Sequence, residues 1–91
     1  MREIKYSSQL KKDYKLGKKR GRDMNLLKEV IFMLQKEEKL PEKYHDHGLA
    51  GEYIGIRECH IQPDWLLLYV YSGDALILLL HRTRTHSDLF K

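Results

Sequence analysis

The sequence ALILLL at residues 75–80 is a wholly apolar run, and HRTRTHSDLF follows it directly at residues 81–90. A short apolar run of this kind is typical of a strand that is buried on both faces. The abrupt change to imidazole, guanidinium and hydroxyl groups indicates that a core strand delivers polar side chains to an edge of the sheet. Such groups suit a site that binds phosphate, transfers protons and stacks a base.

Three other segments have the pattern of strands. WLLLYVY at residues 65–71 is apolar on both faces, and turns at residues 62–64 and 72–74 connect it to strands at residues 52–61 and 75–80. Alternating polar and apolar residues at positions 3–6 predict a first short strand. The two tight turns predict that the last three strands form consecutive antiparallel hairpins.

Two helices are predicted between the first strand and the hairpins. Ser7 or Ser8 can cap a basic, thinly apolar helix, and Asp23 is a natural N-cap for a second, core-forming helix. The apolar positions of that second helix are Met24, Leu27, Ile31 and Leu34. The order β-α-α-β-β-β predicts an α+β fold with two N-terminal helices packed on an antiparallel sheet, a connecting loop at residues 41–51 and a short C-terminal helical turn.

Composition and length favour a small globular protein. A chain of 91 residues is expected to form one domain, residues 1–91, with one core. No apolar run approaches the about 20 residues of a membrane span, and the N-terminus lacks a signal-peptide apolar region. We therefore predict a cytoplasmic protein without a membrane partner. Cys59 is the only cysteine, which excludes an intrachain disulfide, and we expect a buried hydrophobic residue there rather than a nucleophile.

The net charge of +4 is distributed unevenly along the chain. Residues 1–22 contain nine Lys or Arg residues against two acidic residues, a net charge of +7, whereas the remaining chain has a net charge of −3. Basic charge concentrated in one segment favours a polyanionic partner such as nucleic acid or an acidic protein. The alternative is a merely solvated helix face, because a run of charges is weak evidence by itself.

The spacing His45-Asp46-His47 allows three interpretations. Imidazole and carboxylate groups are common metal ligands, but a catalytic metal site would also need His60 or His86 to converge. Surface histidines without a role are the second interpretation, and a proton-transfer site in a nuclease is the third. We predict no metal and no other cofactor.

The hairpin connections predict where the candidate site lies. A strand that ends at a short turn lies beside the start of the next strand, so the two turns bring several polar positions to one end of the sheet. These positions are His60, Asp64, Trp65, Arg82 and His86.

Such a set of side chains suits RNA cleavage. RNA can be cleaved without a metal if one group accepts the 2′-hydroxyl proton, a second protonates the leaving 5′-oxygen, and a cation stabilises the transition state. Histidine fits both proton-transfer roles, and arginine binds phosphate. Trp65 and Phe90 could stack bases. In the alternative interpretation Trp65 and Phe90 are core residues and Arg82 is a surface ion-pair partner.

The motif Gly51-x-x-x-Gly55-x-Arg57-x-x-His60-x-x-Pro63-Asp64-Trp65, followed by Arg82-Thr83-x-Thr85-His86-Ser87-Asp88-Leu89-Phe90, resembles the YafQ branch of the RelE-like bacterial toxins. This resemblance covers essentially the whole chain. It implies a microbial ribonuclease-like fold and a ribosome-dependent mRNA endoribonuclease, the toxin of a type II toxin–antitoxin system, that acts in the ribosomal A site. It also implies a DinJ-type antitoxin partner, with promoter DNA bound only through the antitoxin complex.

Residue roles follow from the same resemblance. The positions that match the family's catalytic residues are His47, His60, Asp64, Arg82 and His86. Arg82 is expected to stabilise the phosphate and His86 to act as general acid, while the general base remains open among His47, His60 and Asp64.

The resemblance also implies RNA contacts outside the catalytic positions. Trp65 and Phe90 match further active-site positions, and the basic first helix would bind RNA through Lys11, Lys12, Lys15 and Lys18. Arg84 departs from the family pattern, which usually has a small residue there. The alternative to an enzyme is a catalytically silent RNA-binding or antitoxin-binding protein on the same fold.

Overall fold

The structure, a computed structural model, describes the backbone of residues 1–83 and the side chains of residues 1–79. Its main elements are β1 (Glu3–Tyr6), α1 (Ser8–Lys19), α2 (Met24–Gln35), β2 (His47–Gly48), β3 (Arg57–Gln62), β4 (Trp65–Ser72) and β5 (Ala75–Thr83). Two short 3₁₀ turns, Glu42–Tyr44 and Gly51–Tyr53, lie between α2 and β3. None of the described helices is long and apolar enough to cross a membrane. The predicted C-terminal helical turn lies outside the described residues.

Local sequence explains both helices. The Ser7 hydroxyl accepts a hydrogen bond from the Leu10 amide at 3.0 Å, and the Asp23 carboxylate accepts one from the Asn25 amide at 3.0 Å. These bonds satisfy amide donors that have no partner within the helix, so both predicted N-caps are confirmed. At the end of α2, Glu37 has a φ of 59° and the Glu38 amide donates to the Met33 carbonyl, a Schellman-type helix end. The helix therefore ends before Leu40, as predicted.

The core lies between the two helices and one face of the sheet. The helices contribute the buried residues Leu10, Leu27, Val30 and Leu34. The sheet contributes Cys59, Ile61, Trp65, Leu67, Tyr69, Leu76 and Leu78. Alternate residues of a strand point to opposite faces, so Glu58 and His60 on β3 lie on the face away from the helices.

The sheet is mixed, and the prediction of an all-antiparallel sheet was wrong. Its strand order is β1-β5-β4-β3-β2, with β1 parallel to β5 and the other neighbours antiparallel. The hairpins of β3, β4 and β5 leave one edge of β5 free, and β1 pairs there although both helices and three strands separate it from β5 in the chain. A long connection permits parallel pairing, and the alternation of residues 3–6 contains no information on strand direction.

The segment before β3 also differs from the prediction. The strand expected at residues 52–61 begins only at Arg57, because Gly51 and Gly55 adopt left-handed φ angles of 68° and 95° and turn the chain. The preceding loop contributes the two-residue strand β2, whose His47 pairs with Glu58. A loop histidine is thereby attached to the sheet edge beside β3.

Candidate active site

Three histidines meet beside the β2 edge of the sheet. His60 lies on β3, and its ring centroid is 5.4 Å from that of His45 and 6.3 Å from that of His47. His45 follows the first 3₁₀ turn, and His47 begins β2. Sequence spacing left the role of His45 and His47 open, and the structure places both rings beside His60.

The hydrogen bonding of His47 determines which ring nitrogen is available to accept a proton. Its Nδ1 lies 2.7 Å from the His45 carbonyl oxygen, which can only accept, so Nδ1 carries the hydrogen. In the neutral ring Nε2 therefore holds the free lone pair. Nε2 also lies 3.5 Å from Oε1 of Glu58, a contact that becomes an ion pair when Nε2 takes up a proton. The side chain of His47 is 48% exposed and that of Glu58 only 5%.

His45 has a left-handed backbone, with φ 46° and ψ 45°. This conformation is uncommon for residues other than glycine and costs roughly 1–2 kcal/mol, although histidine tolerates it better than most side chains. Strained residues persist where surrounding contacts impose them. The contacts that hold this loop therefore bear on the geometry of His47.

Those contacts come from Asp46, on the other face of the sheet. The hydroxyl of Tyr69 donates to Oδ1 of Asp46 at 2.5 Å, and Nη2 of Arg57 lies 3.3 Å from Oδ2. Nε of Arg57 also donates to the Tyr69 hydroxyl at 3.4 Å. Tyr69 belongs to the core beside the helices and is fully buried. We call Asp46, Tyr69 and Arg57 the Asp46 anchor.

The strand register confirms that the hairpins bring the predicted backbone positions together. His60 pairs with Leu66 and Leu66 with Arg82, so His60 and Arg82 lie in one row across the sheet. Asp64 is exposed in the turn at the same end. His86 and Phe90 lie outside the described residues, and the structure leaves their predicted roles untested.

The structure corrects the prediction for Trp65. Its side chain is 2% exposed and belongs to the core on the helix side, the face opposite His60. The guanidinium carbon of Arg22 lies 5.2 Å from its ring centroid. Stacking on a base requires a free ring face, which this placement does not provide. The alternative interpretation from sequence, a core tryptophan, describes the structure.

The lysines predicted to bind RNA are exposed on α1, namely Lys11, Lys12, Lys15 and Lys18. Lys11 and Lys15 border an apolar groove of about 580 Å³ between β1, α1 and α2, lined by residues that include Ile4 and Phe32. Their placement leaves all four available to a polyanion.

Cys59 is buried in the core, as predicted, and its thiol is not activated. Burial, and then the negative charges of Asp46 and Glu58, raise the pKa of Cys59 to about 12.

Because this folded-state pKa lies above the ordinary value of 9.0, the thiol stabilises the fold below pH 9 and loses this contribution as the pH rises further. We expect the free energy of unfolding to fall between pH 9 and 10 at a limiting slope of about 1.4 kcal/mol per pH unit from this group. Urea unfolding of the wild type and of Cys59→Ala measures this, and parallel pH dependences in the two proteins would contradict it.

Several site residues were missed in the sequence. Glu58 and Tyr69 lie within strand-like runs, where nothing distinguishes them from ordinary strand residues. Their roles depend on the pairing of β2, a strand of only two residues that has no detectable alternation. The one sequence signal near them is Asp46 between His45 and His47, because an acidic residue there needs a partner such as Tyr69.

No group of three or more His, Cys, Asp or Glu side chains among the described residues is arranged to hold a metal ion.

The chain is similar to known bacterial toxins over nearly its whole length. A family model described as "Bacterial toxin of type II toxin-antitoxin system, YafQ" matches residues 2–91. The mRNA interferase toxin YafQ of Escherichia coli K12 is 43% identical over 90 residues, which cover 98% of this chain and 96% of that protein.

Solved structures of toxins have the same fold. A copper-bound mutant toxin from Helicobacter pylori superposes with a TM-score of 0.91 at 39% identity, covering 99% of this chain and all of that one. The E. coli DinJ–YafQ complex contains a chain that superposes with a TM-score of 0.86 at 39% identity, with complete coverage of both chains.

Fold and sequence together define a small α+β protein of the bacterial toxin class, with two helices and a five-stranded mixed sheet. Within that class, the chain belongs to the YafQ family of type II toxin–antitoxin systems. The resemblance to the YafQ family that the motifs indicated is confirmed.

Proposed function

We propose that this chain is an mRNA interferase, the toxin of a type II toxin–antitoxin pair, and that it cleaves mRNA in the ribosomal A site. The observation that carries the proposal is the contact of His47 Nδ1 with the His45 carbonyl oxygen at 2.7 Å, with the His47 ring beside His60 in a chain of the YafQ family. The E. coli relatives named mRNA interferase toxins support the reaction. The relation to the wider RelE-like group is part of this proposal.

The reaction is an internal transesterification of RNA. His47 takes the proton of a 2′-hydroxyl on Nε2, and the resulting oxygen attacks the adjacent phosphorus to form a 2′,3′-cyclic phosphate. The bond to the 5′-oxygen breaks, and His86 donates a proton to that leaving oxygen. Arg82 stabilises the added charge on the phosphate.

The residues around His47 have supporting roles in the reaction. Glu58 stabilises the imidazolium that forms on His47, since its carboxylate lies 3.5 Å from Nε2. His60 and Asp64 contribute charge and hydrogen bonding to the same site. Among the three candidate bases, the defined hydrogen-bonding state of His47 favours that residue.

The basic segment and the partner protein complete the proposal. The exposed lysines Lys11, Lys12, Lys15 and Lys18 bind ribosomal RNA through its phosphates, an interaction that weakens as salt is raised. A DinJ-type antitoxin inhibits the toxin, as suggested by the complexes of DinJ with the E. coli relative. Promoter DNA is bound only by the toxin–antitoxin complex.

The experiment compares mRNA on programmed ribosomes with the same mRNA free in solution. We expect the purified chain to cut the mRNA at the A-site codon on ribosomes, with little cutting of free mRNA, and His86→Ala to be inactive. Mapping the new 5′ ends by primer extension measures both. Binding to ribosomes without cleavage would instead identify a catalytically silent RNA-binding protein, and equal cleavage of free mRNA would contradict ribosome dependence.

A further inference from the structure

The loop that carries His47 is held at its start by the buried Tyr44 and at its end by the backbone bond from Leu49 to Ile56. Its strand β2 has only two residues, His47 and Gly48, and both are exposed. His45 on its other side holds a left-handed conformation. Such a short edge strand does not fix the position of its side chains by itself, so contacts outside the strand pairing contribute to this geometry.

Asp46 provides that contact. Its two neighbours, His45 and His47, direct their rings towards His60, while its own carboxylate reaches Tyr69 and Arg57 on the opposite face of the sheet. The backbone of residues 45–47 therefore has side-chain contacts on both faces of the sheet. The His45 carbonyl belongs to this backbone, and it is the group that accepts from Nδ1 of His47.

We propose that the Asp46 anchor is a positioning device that keeps the His45 carbonyl in place and thereby holds His47 in the Nδ1–H form, with the lone pair on Nε2. This inference rests on the proposed function for its catalytic consequence, because there Nε2 accepts the proton. The three anchor residues contact one another on the face of the sheet opposite His60. They act through the loop backbone.

Tyr69 suits an anchor because its ring is buried and its hydroxyl stays protonated. The ring is fully buried in the core. Burial, and then the hydrogen bond to Asp46, raise the pKa of Tyr69 well above its usual value of 10.0. The hydroxyl thus remains a hydrogen-bond donor to Asp46 throughout the neutral range, and Arg57 supplies a second tie to the same carboxylate at 3.3 Å.

The chain offers a matched control two residues further along β4. Tyr71 also donates its hydroxyl to a single acceptor, the Leu34 carbonyl on α2, at 2.8 Å. Its ring contacts that of Tyr69, with centroids 5.7 Å apart. Replacing either tyrosine with phenylalanine removes one hydroxyl. Tyr69→Phe loses the bond to Asp46 and the bond from Arg57, whereas Tyr71→Phe loses only the bond to the Leu34 carbonyl. Only the bond of Tyr69 leads to the histidine loop.

The test combines turnover with a direct view of the His47 ring. For Tyr69→Phe we expect kcat on programmed ribosomes to fall about tenfold to a hundredfold with KM within about twofold, because a misplaced base slows the chemical step more than binding. The ¹⁵N shifts of His47 in the free protein should change from the Nδ1–H form to a mixture of both neutral forms. Tyr71→Phe should retain the wild-type kcat and the wild-type ¹⁵N shifts.

The outcomes distinguish a positioning role of the Asp46 anchor from a purely structural role. They also test this inference separately from the proposed function. Wild-type turnover and ¹⁵N shifts in Tyr69→Phe, or equal changes in both variants, would overturn the inference. If Tyr69→Phe does not fold, Asp46→Ala removes the acceptor and leaves the core tyrosine, with the same expected result. The ¹⁵N measurement needs no RNA, so an inactive wild type would refute the proposed function without deciding the positioning.

Discussion

Replacing His47 with alanine is expected to reduce kcat for mRNA cleavage on ribosomes by about 10²–10⁴-fold, the usual effect of losing a positioned general base. The variant loses Nε2, the atom that the His45 carbonyl contact leaves free to accept a proton. Its stability should change little, since the side chain is about half exposed. Single-turnover cleavage, with urea unfolding in parallel, measures both quantities.

His45→Asn is the matched comparison for this prediction. It removes a neighbouring imidazole from the same cluster but keeps the backbone carbonyl, and asparagine tolerates the left-handed conformation at this position. We expect a loss of less than about tenfold, because only a nearby polar group disappears. Equal losses in the two variants would show that His47 has no special proton-transfer role.

Replacing Trp65 with alanine is expected to lower the free energy of unfolding by about 3–5 kcal/mol, as for other large core aromatics. The indole is almost fully buried against the helices, so its removal leaves a cavity and eliminates the contact with Arg22. Domains of this kind have a total stability of about 5–15 kcal/mol, so the variant should lie close to unfolding. Urea unfolding at neutral pH followed by circular dichroism measures the change.

Phe32→Ala is the control for an exposed aromatic. Phe32 is 49% exposed on α2, and we expect its loss to cost less than about 1 kcal/mol. If Trp65 instead stacked on bases, Trp65→Ala would be nearly as stable as the wild type and would lose RNA affinity. A stable Trp65→Ala protein would therefore contradict the placement of this side chain in the core.

The candidate site was predictable where short connections define the geometry. Tight turns join β3 to β4 and β4 to β5, so the placement of His60 and Arg82 in one row follows from two hairpins. The prediction failed for Trp65 because residues 65–71 are apolar on both faces. In such a strand, alternation cannot indicate which residues face the helices.

The sequence by itself determined the two capped helices, the hairpin order of the last three strands and the end of the sheet where polar groups collect. These features depend on caps, turns and local periodicity, which act between residues close in the chain. Only the tertiary structure decided that β1 runs parallel to β5, that His47 faces Glu58 and that Asp46 is tied to Tyr69. Those contacts join distant segments whose local sequences are compatible with several pairings, so packing of the whole chain selects one of them.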